Sequence, residues 1–184
     1  MSGRKKSRTR LTWRRTLRRN KQRRFELERQ QRVRREAMIE RRIGIVRKRA
    51  RQERNCTILG RDARVVRAFY VNDVLMFETT MMHVQIEDKK YRIGKFEVQL
   101  DPTLAKPLTL CLESGRRDGR EPKYYMTWGG DPWFCVGDRM DLLRYLVRSG
   151  EDLAAAYLML EAFEHVNPEH HEEVAGTSIP VPIR

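Results

Sequence analysis

Basic residues near the N-terminus have the type and spacing needed to bind phosphate groups. Residues 4–54 contain 23 Lys or Arg and five Glu, a net charge of +18, whereas residues 55–184 contain 16 basic and 20 acidic residues, a net charge of −4. Arginine outnumbers lysine, and its planar guanidinium group pairs with phosphate oxygens and stacks on bases. We therefore predict that this segment binds the backbone of DNA or RNA.

The predicted binding residues are the basic side chains of the first 24 positions and one tryptophan, whose ring could stack on an exposed base. They are Arg4, Lys5, Lys6, Arg8, Arg10, Trp13, Arg14, Arg15, Arg18, Arg19, Lys21, Arg23 and Arg24. Backbone contacts give affinity without base choice, and the segment has no zinc-finger or helix-turn-helix spacing. We therefore predict binding without sequence specificity.

A second candidate for chemistry is the thiol of Cys135, in the aromatic segment YYMTWGGDPWFCVG at residues 124–137. A nucleophilic thiol needs a nearby cation, histidine or helix N-terminus to lower its pKa. Arg139 and the start of a predicted helix could supply these. Because Phe134 and Val136 flank the cysteine, a small buried hydrophobic residue is the favoured interpretation of Cys135, and a nucleophile is the alternative.

The histidines indicate no metal site. His165, His170 and His171 lie near Glu172 and Glu173, but no cysteine accompanies them and no rigid element holds them, so a solvated tail is the favoured interpretation. His83 alternates outward in a predicted strand and is expected at the surface. We predict no metal and no cofactor.

The element that positions the basic residues is predicted to be helical. No proline occurs between Ser2 and Asp101, and the residues are good helix formers, so one or two long helices are expected between about Leu11 and Arg54. Residues 33–50 carry an apolar stripe, which predicts packing against another surface or, alternatively, against a second copy of the chain. The stripe comprises Val33, Ala37, Ile39, Ile43, Val46 and Ala50.

The remaining chain predicts an α+β domain at residues 56–168, after an Arg-rich helical arm at 1–55. A connector at 55–62 leads into alternating β-branched and aromatic residues, which predict a small antiparallel meander sheet with a tight turn at Asn72 and Asp73 and a bulge at Gly94 and Lys95. A long loop is expected at 113–137, and two C-terminal helices, the first capped by Asp138 or Asp141, pack on the sheet. The core face of the first helix is predicted to comprise Met140, Leu142, Leu143, Leu146 and Val147. Residues 169–184 are predicted to form a loose tail.

Composition bounds the location of the protein. The sequence has no run of about 18 apolar residues and no apolar N-terminal stretch, so we predict neither a membrane span nor a secretory signal, and no membrane partner. Cys56, Cys111 and Cys135 are odd in number and widely spaced, which is typical of a reducing compartment. A cytoplasmic protein, or one in a nucleoid or other nucleoprotein particle, is expected.

Residues 65–169 contain the hairpin KYRIGKFEVQLD, a proline-containing crossing, the segment DPWFCVG at 131–137 and a helical region ending FEHVNPE. In this order of segments the chain resembles ubiquitin-conjugating enzymes and their prokaryotic and phage relatives. It implies a thioester-forming role for Cys135, an activating enzyme and a modifier protein. The family's His-Pro-Asn segment has no counterpart before Cys135, where Tyr124 to Trp128 stand instead.

Three functions follow as hypotheses. The preferred one is a non-enzymatic protein that binds nucleic acid through the arm, with the α+β domain or the apolar stripe contacting another protein. The second is a thioester carrier of a ubiquitin-like modifier that uses Cys135. The third is a structural component of a nucleoprotein particle or capsid, which would share the chemistry of the arm.

Overall fold

The computed structural model describes residues 4–104, 107–117, 125–128, 131–134, 136, 139–165, 174–176 and 178–181. Its elements are α1 (Arg4–Leu59), β1 (Val65–Val71), β2 (Val74–Thr79), β3 (Met82–Ile86), β4 (Lys89–Leu100), β5 (Leu108–Ser114), β6 (Tyr125–Trp128), β7 (Asp131–Phe134), α2 (Met140–Ser149), α3 (Asp152–Glu164) and β8 (Pro180–Val181). A long helix, an open antiparallel sheet of six strands and C-terminal helices confirm the predicted α+β class. The chain divides into two compact units, Met1–Ala50 and Arg51–Arg184.

The first unit consists of α1 as far as Ala50. The helix is continuous and begins at Arg4, earlier than the predicted Leu11, because neither proline nor a run of β-branched residues interrupts its good helix formers. Every side chain from Arg19 to Ala50 is exposed, including the apolar stripe of residues 33–50.

The last turns of α1 belong to the second unit and correct the predicted connector at 55–62. The helix continues to Leu59, whose side chain is fully buried in the core, and Asn55 is also buried. The amide of Gly60 then donates to the carbonyl of Cys56 at 2.8 Å, and the chain turns toward β1. Burial of Leu59 supplies a tertiary contact that local residue types do not reveal.

The strands are joined by turns whose residues suit them. Asn72 and Asp73 both have positive φ, 49° and 70°, and these residue types tolerate the tight type I′ geometry that matches strand twist. Strand β4 pairs with β2 and β3 on one side, and with β5 and β8 on the other. It is therefore the central strand of the sheet.

Strand β4 contains a bulge, one residue before the position predicted at Gly94 and Lys95. Gly94 pairs with Met82, whereas the next pair toward the turn joins Arg92 to His83, so Ile93 is the extra residue. The bulge lets both Ile93 and Phe96 point into the core despite their odd spacing.

Helices α2 and α3 cover one face of the sheet. The rings of Phe96 and Phe163 stack with centroids 4.6 Å apart, and Leu143 and Val147 bury the inner side of α2. Two details of the prediction were wrong. Leu142 is exposed, and Asp141 lies in the first turn of α2 while Arg139 occupies the N-cap without a side-chain hydrogen bond. Asp138 lies outside the described residues.

Residues predicted to be irregular contribute strands. Within the expected loop of 113–137, β6 and β7 pair as an antiparallel hairpin. Within the expected loose tail, Val181 and Pro180 of β8 pair with Lys90 and Tyr91 of β4. The tail thus extends the sheet of its own chain.

Candidate nucleic-acid interface

All thirteen residues of the predicted binding set lie on α1. Among them, Trp13, Arg19, Lys21, Arg23 and Arg24 have described side chains, and all five are exposed. One continuous helix holds them at a rise of about 1.5 Å per residue, so residues 4–24 extend along about 30 Å of axis. A helix fixes the spacing of these cations before any ligand is bound.

The cations surround the helix. Residues 19–35 contain eight basic side chains and two acidic ones, all exposed. At about 100° per residue, the eight basic positions leave no gap around the axis wider than about 80°. A ligand that encloses the helix, such as a groove between two phosphate backbones, would therefore contact more of them than a flat anionic surface.

The structure extends the set beyond Arg24. Arg29, Arg32, Arg34 and Arg35 lie on the same uninterrupted helix and are equally exposed. Their composition was visible in the sequence, but the continuity of α1 through these residues was not. The exposed basic residues from Arg19 to Ala50 number thirteen, against four glutamates.

Two aromatic side chains accompany the cations. The indole of Trp13 is 64% exposed and the ring of Phe25 is 72% exposed. Exposed aromatic faces beside a cationic backbone-binding surface are the feature that proteins use to stack on unpaired bases. The stacking role of Trp13 stays a prediction, and Phe25 is a second candidate for it that the sequence analysis did not select.

A polar network within the second unit holds the last turns of α1. The amide of Asn55 donates to the hydroxyl oxygen of Tyr70 at 3.1 Å, and that hydroxyl donates to the carboxylate of Asp152 at 2.7 Å. Burial raises the pKa of Tyr70 well above its usual range, and the bond to the Asp152 carboxylate also raises it. The neutral hydroxyl thus links α1, β1 and α3, a connection that sequence reasoning missed.

Burial shifts the pKa values of His83 in β3 and of Cys56 in α1. His83 is partly buried in β3; burial lowers its pKa, and Lys90 and Arg92 lower it further. Burial raises the pKa of the Cys56 thiol, which disfavours the reactive thiolate. Within the described ranges, no group of three or more His, Cys, Asp or Glu side chains is placed to hold a metal ion.

The candidate nucleophile Cys135 lies outside the described residues. So do His170, His171, Glu172 and Glu173, for which a solvated tail was predicted. The thioester role of Cys135 stays a prediction.

Comparisons with protein-family models, with curated proteins and with solved structures found no match to this chain. Among the described helices, none combines the length and the apolar character that crossing a membrane requires.

Proposed function

We propose that the protein binds nucleic acid non-specifically through the phosphate backbone, using the N-terminal part of α1, while the α+β unit serves as an interaction domain. The observation that carries this proposal is the continuous exposure of thirteen basic side chains from Arg19 to Ala50 on a single helix. Exposed and closely spaced cations of one sign repel each other, and a polyanion relieves that repulsion.

The density of charge suits a nucleic-acid backbone. Residues 4–24 contain twelve basic residues, and a duplex carries about one phosphate charge per 1.7 Å of axis, so about 18 phosphates lie along the same 30 Å. The two densities are comparable. Most of the cations could therefore find a phosphate partner without large bending of either molecule.

The composition of the cations favours nucleic acid over other polyanions. Guanidinium groups form bidentate hydrogen bonds with phosphate oxygens, whereas lysine would bind a generic acidic surface equally well. Contacts of this type position the protein without reading bases, so we expect similar affinity for unrelated sequences of the same length.

The test is a salt titration of the full chain with a fluorescent duplex of mixed sequence, followed by anisotropy. If about six to ten phosphates are neutralised, affinity should fall about a thousandfold or more between about 50 and 200 mM salt. The variant R23Q/R24Q should reduce the slope of log affinity against log salt by about two, because each neutralised phosphate contributes about 0.9.

The matched control is R61Q/R148Q, which removes the same charge from exposed positions of the second unit. The control should leave the slope within experimental error of the unaltered chain. Equal losses in the two variants, or no binding by the unaltered chain at low salt, would overturn the proposal.

A further inference from the structure

The part of α1 that follows the predicted binding residues exposes an unusual amount of apolar surface. Six large apolar side chains between Val33 and Val46 are each 44–65% exposed. They are Val33, Met38, Ile39, Ile43, Ile45 and Val46. Contiguous exposed apolar side chains on a polar surface usually mark a site of interaction. Phosphate binding does not require them.

Arginines divide this surface into two apolar rows. Arg35, Arg42 and Arg49 recur every seven residues and are exposed, so they form one row along the helix, which we call the arginine row. At about 100° per residue, Ile39, Ile43 and Val46 lie beside it within an arc of about 60°. Met38 and Ile45 lie on its other side, whereas Val33 lies about 180° from the arginine row and belongs to neither apolar row.

The charges disfavour a second copy of the chain as the occupant. Residues 33–50 contain seven basic and two acidic side chains. In a parallel pair of such helices, Arg42 would face Arg47 of the partner copy, and like charges at flanking positions oppose pairing. In an antiparallel pair, the arginine rows would face each other.

Lipid and nucleic acid fit the surface poorly. A membrane-surface helix keeps its cations at the edges of a broad apolar face, whereas here the arginine row runs through the middle. A phosphate backbone could pair with the arginine row but offers no counterpart for the isoleucines on either side.

We infer that residues 33–50 of α1 dock an amphipathic helix of another protein, in which carboxylates at seven-residue spacing face the arginine row and apolar side chains fill both sides of it. Carboxylates form bidentate hydrogen bonds with guanidinium groups, as phosphates do. The apolar rows would pack against the apolar side chains of the partner helix. Nucleic acid and partner helix would then occupy successive segments of α1.

The test uses the full chain and a synthetic helix of about four heptads, in which Glu occupies one position of every heptad and Ile and Leu occupy the positions three and four residues after it, on either side of the glutamate row. The glutamate row within the apolar face keeps this peptide from pairing with itself. A second peptide keeps every glutamate and replaces the Ile and Leu with Ala, so it measures charge attraction alone. At physiological salt, the full chain should bind the first peptide at least about tenfold more tightly than the second, since only the first peptide offers apolar side chains to the apolar rows.

Two variants locate the effect. I39A/I43A/V46A preserves helix propensity and should remove the preference between the two peptides. R42E/R49E should abolish binding of the first peptide, whereas R34E/R41E, which makes the same charge change outside the arginine row, should retain the preference. Both charge variants keep the seven-residue spacing.

Equal binding of the two peptides by the unaltered chain would overturn the inference. So would a preference that survives I39A/I43A/V46A. Sedimentation of the full chain as a dimer that the apolar variant converts to a monomer would assign the surface to a second copy instead. Cosedimentation with anionic phospholipid vesicles that I39A/I43A/V46A removes would assign it to a lipid surface.

Discussion

Tyr70 joins three elements through a single hydroxyl group. It accepts a hydrogen bond from buried Asn55 near the end of α1 and donates one to Asp152 at the start of α3. Asn55 is 15 residues from Tyr70 and Asp152 is 82 residues away, so no local sequence pattern predicts these two hydrogen bonds. The hydroxyl connects the final turns of the basic helix to the sheet and to its covering helix.

We predict that Tyr70→Phe lowers the free energy of unfolding by about 1–3 kcal/mol, because it leaves the buried amide of Asn55 without this acceptor. The measurement is urea denaturation followed by circular dichroism at 222 nm. Tyr145→Phe is the matched control, since the Tyr145 side chain is 67% exposed. A Tyr70→Phe protein as stable as the Tyr145→Phe protein would show that the network contributes nothing to folding.

At the scale of elements, β4 depends on a close approach at Gly115. The amide of Gly115 donates to the carbonyl of Ile93, and its own carbonyl accepts from the amide of Ile179, both at 2.9 Å. A side chain at Gly115 would meet the backbone of Arg92 at 2.4 Å. Only glycine allows the end of β5 and the approach to β8 to lie this close to β4.

Gly115→Ala should therefore lower the free energy of unfolding by about 2–3 kcal/mol, because relief of the clash requires movement of backbone rather than of a side chain. Gly176→Ala is the control, since a Cβ there meets nothing within 4 Å. Thermal denaturation of the two variants side by side measures the difference. Equal melting temperatures would contradict the close approach.

Elements set by neighbouring residues were predictable from the sequence. The turn at Asn72 and Asp73, the bulge near Gly94 and the long helix all follow from residue types within a few positions. The ends of α1 and the pairing of β8 with β4 were not predictable in this way. They depend on burial of Leu59 and on partners about 90 residues apart, which periodicity does not encode.

The same division holds for the candidate interface. The basic residues could be identified individually because charge is a property of each residue. The helix could be predicted because helix propensity depends on the local sequence. Their common exposure along one uninterrupted helix through Arg35 required the structure. The exposed rows beside Arg42 were predicted as one packed stripe, yet among the described residues they remain uncovered.

At the scale of the whole molecule, charge and compact folding belong to different parts of the chain. Residues 4–54 carry a net charge of +18, and residues 55–184 carry −4. The first compact unit ends at Ala50, close to this change of charge. Affinity for polyanions and resistance to unfolding should therefore respond to different changes in the chain.

Deletion of residues 1–35 should abolish salt-dependent binding to nucleic acid while leaving a cooperative unfolding transition. The deletion removes sixteen basic residues and spares the core, which lies within the second unit. Anisotropy with a labelled duplex and urea denaturation test the two parts. If the shortened chain binds as well as the full one, the binding surface lies elsewhere.

The central position of β4 has a consequence for the accuracy of folding. Its twelve residues are shared among four neighbouring strands, so a register slip of one position would misalign every ladder at once and turn Phe96, Val98 and Leu100 toward solvent. A misaligned β4 cannot regain its native register with one neighbouring strand while it stays misaligned with the others. We therefore expect the sheet to fold and unfold cooperatively, with few partly paired states that could aggregate.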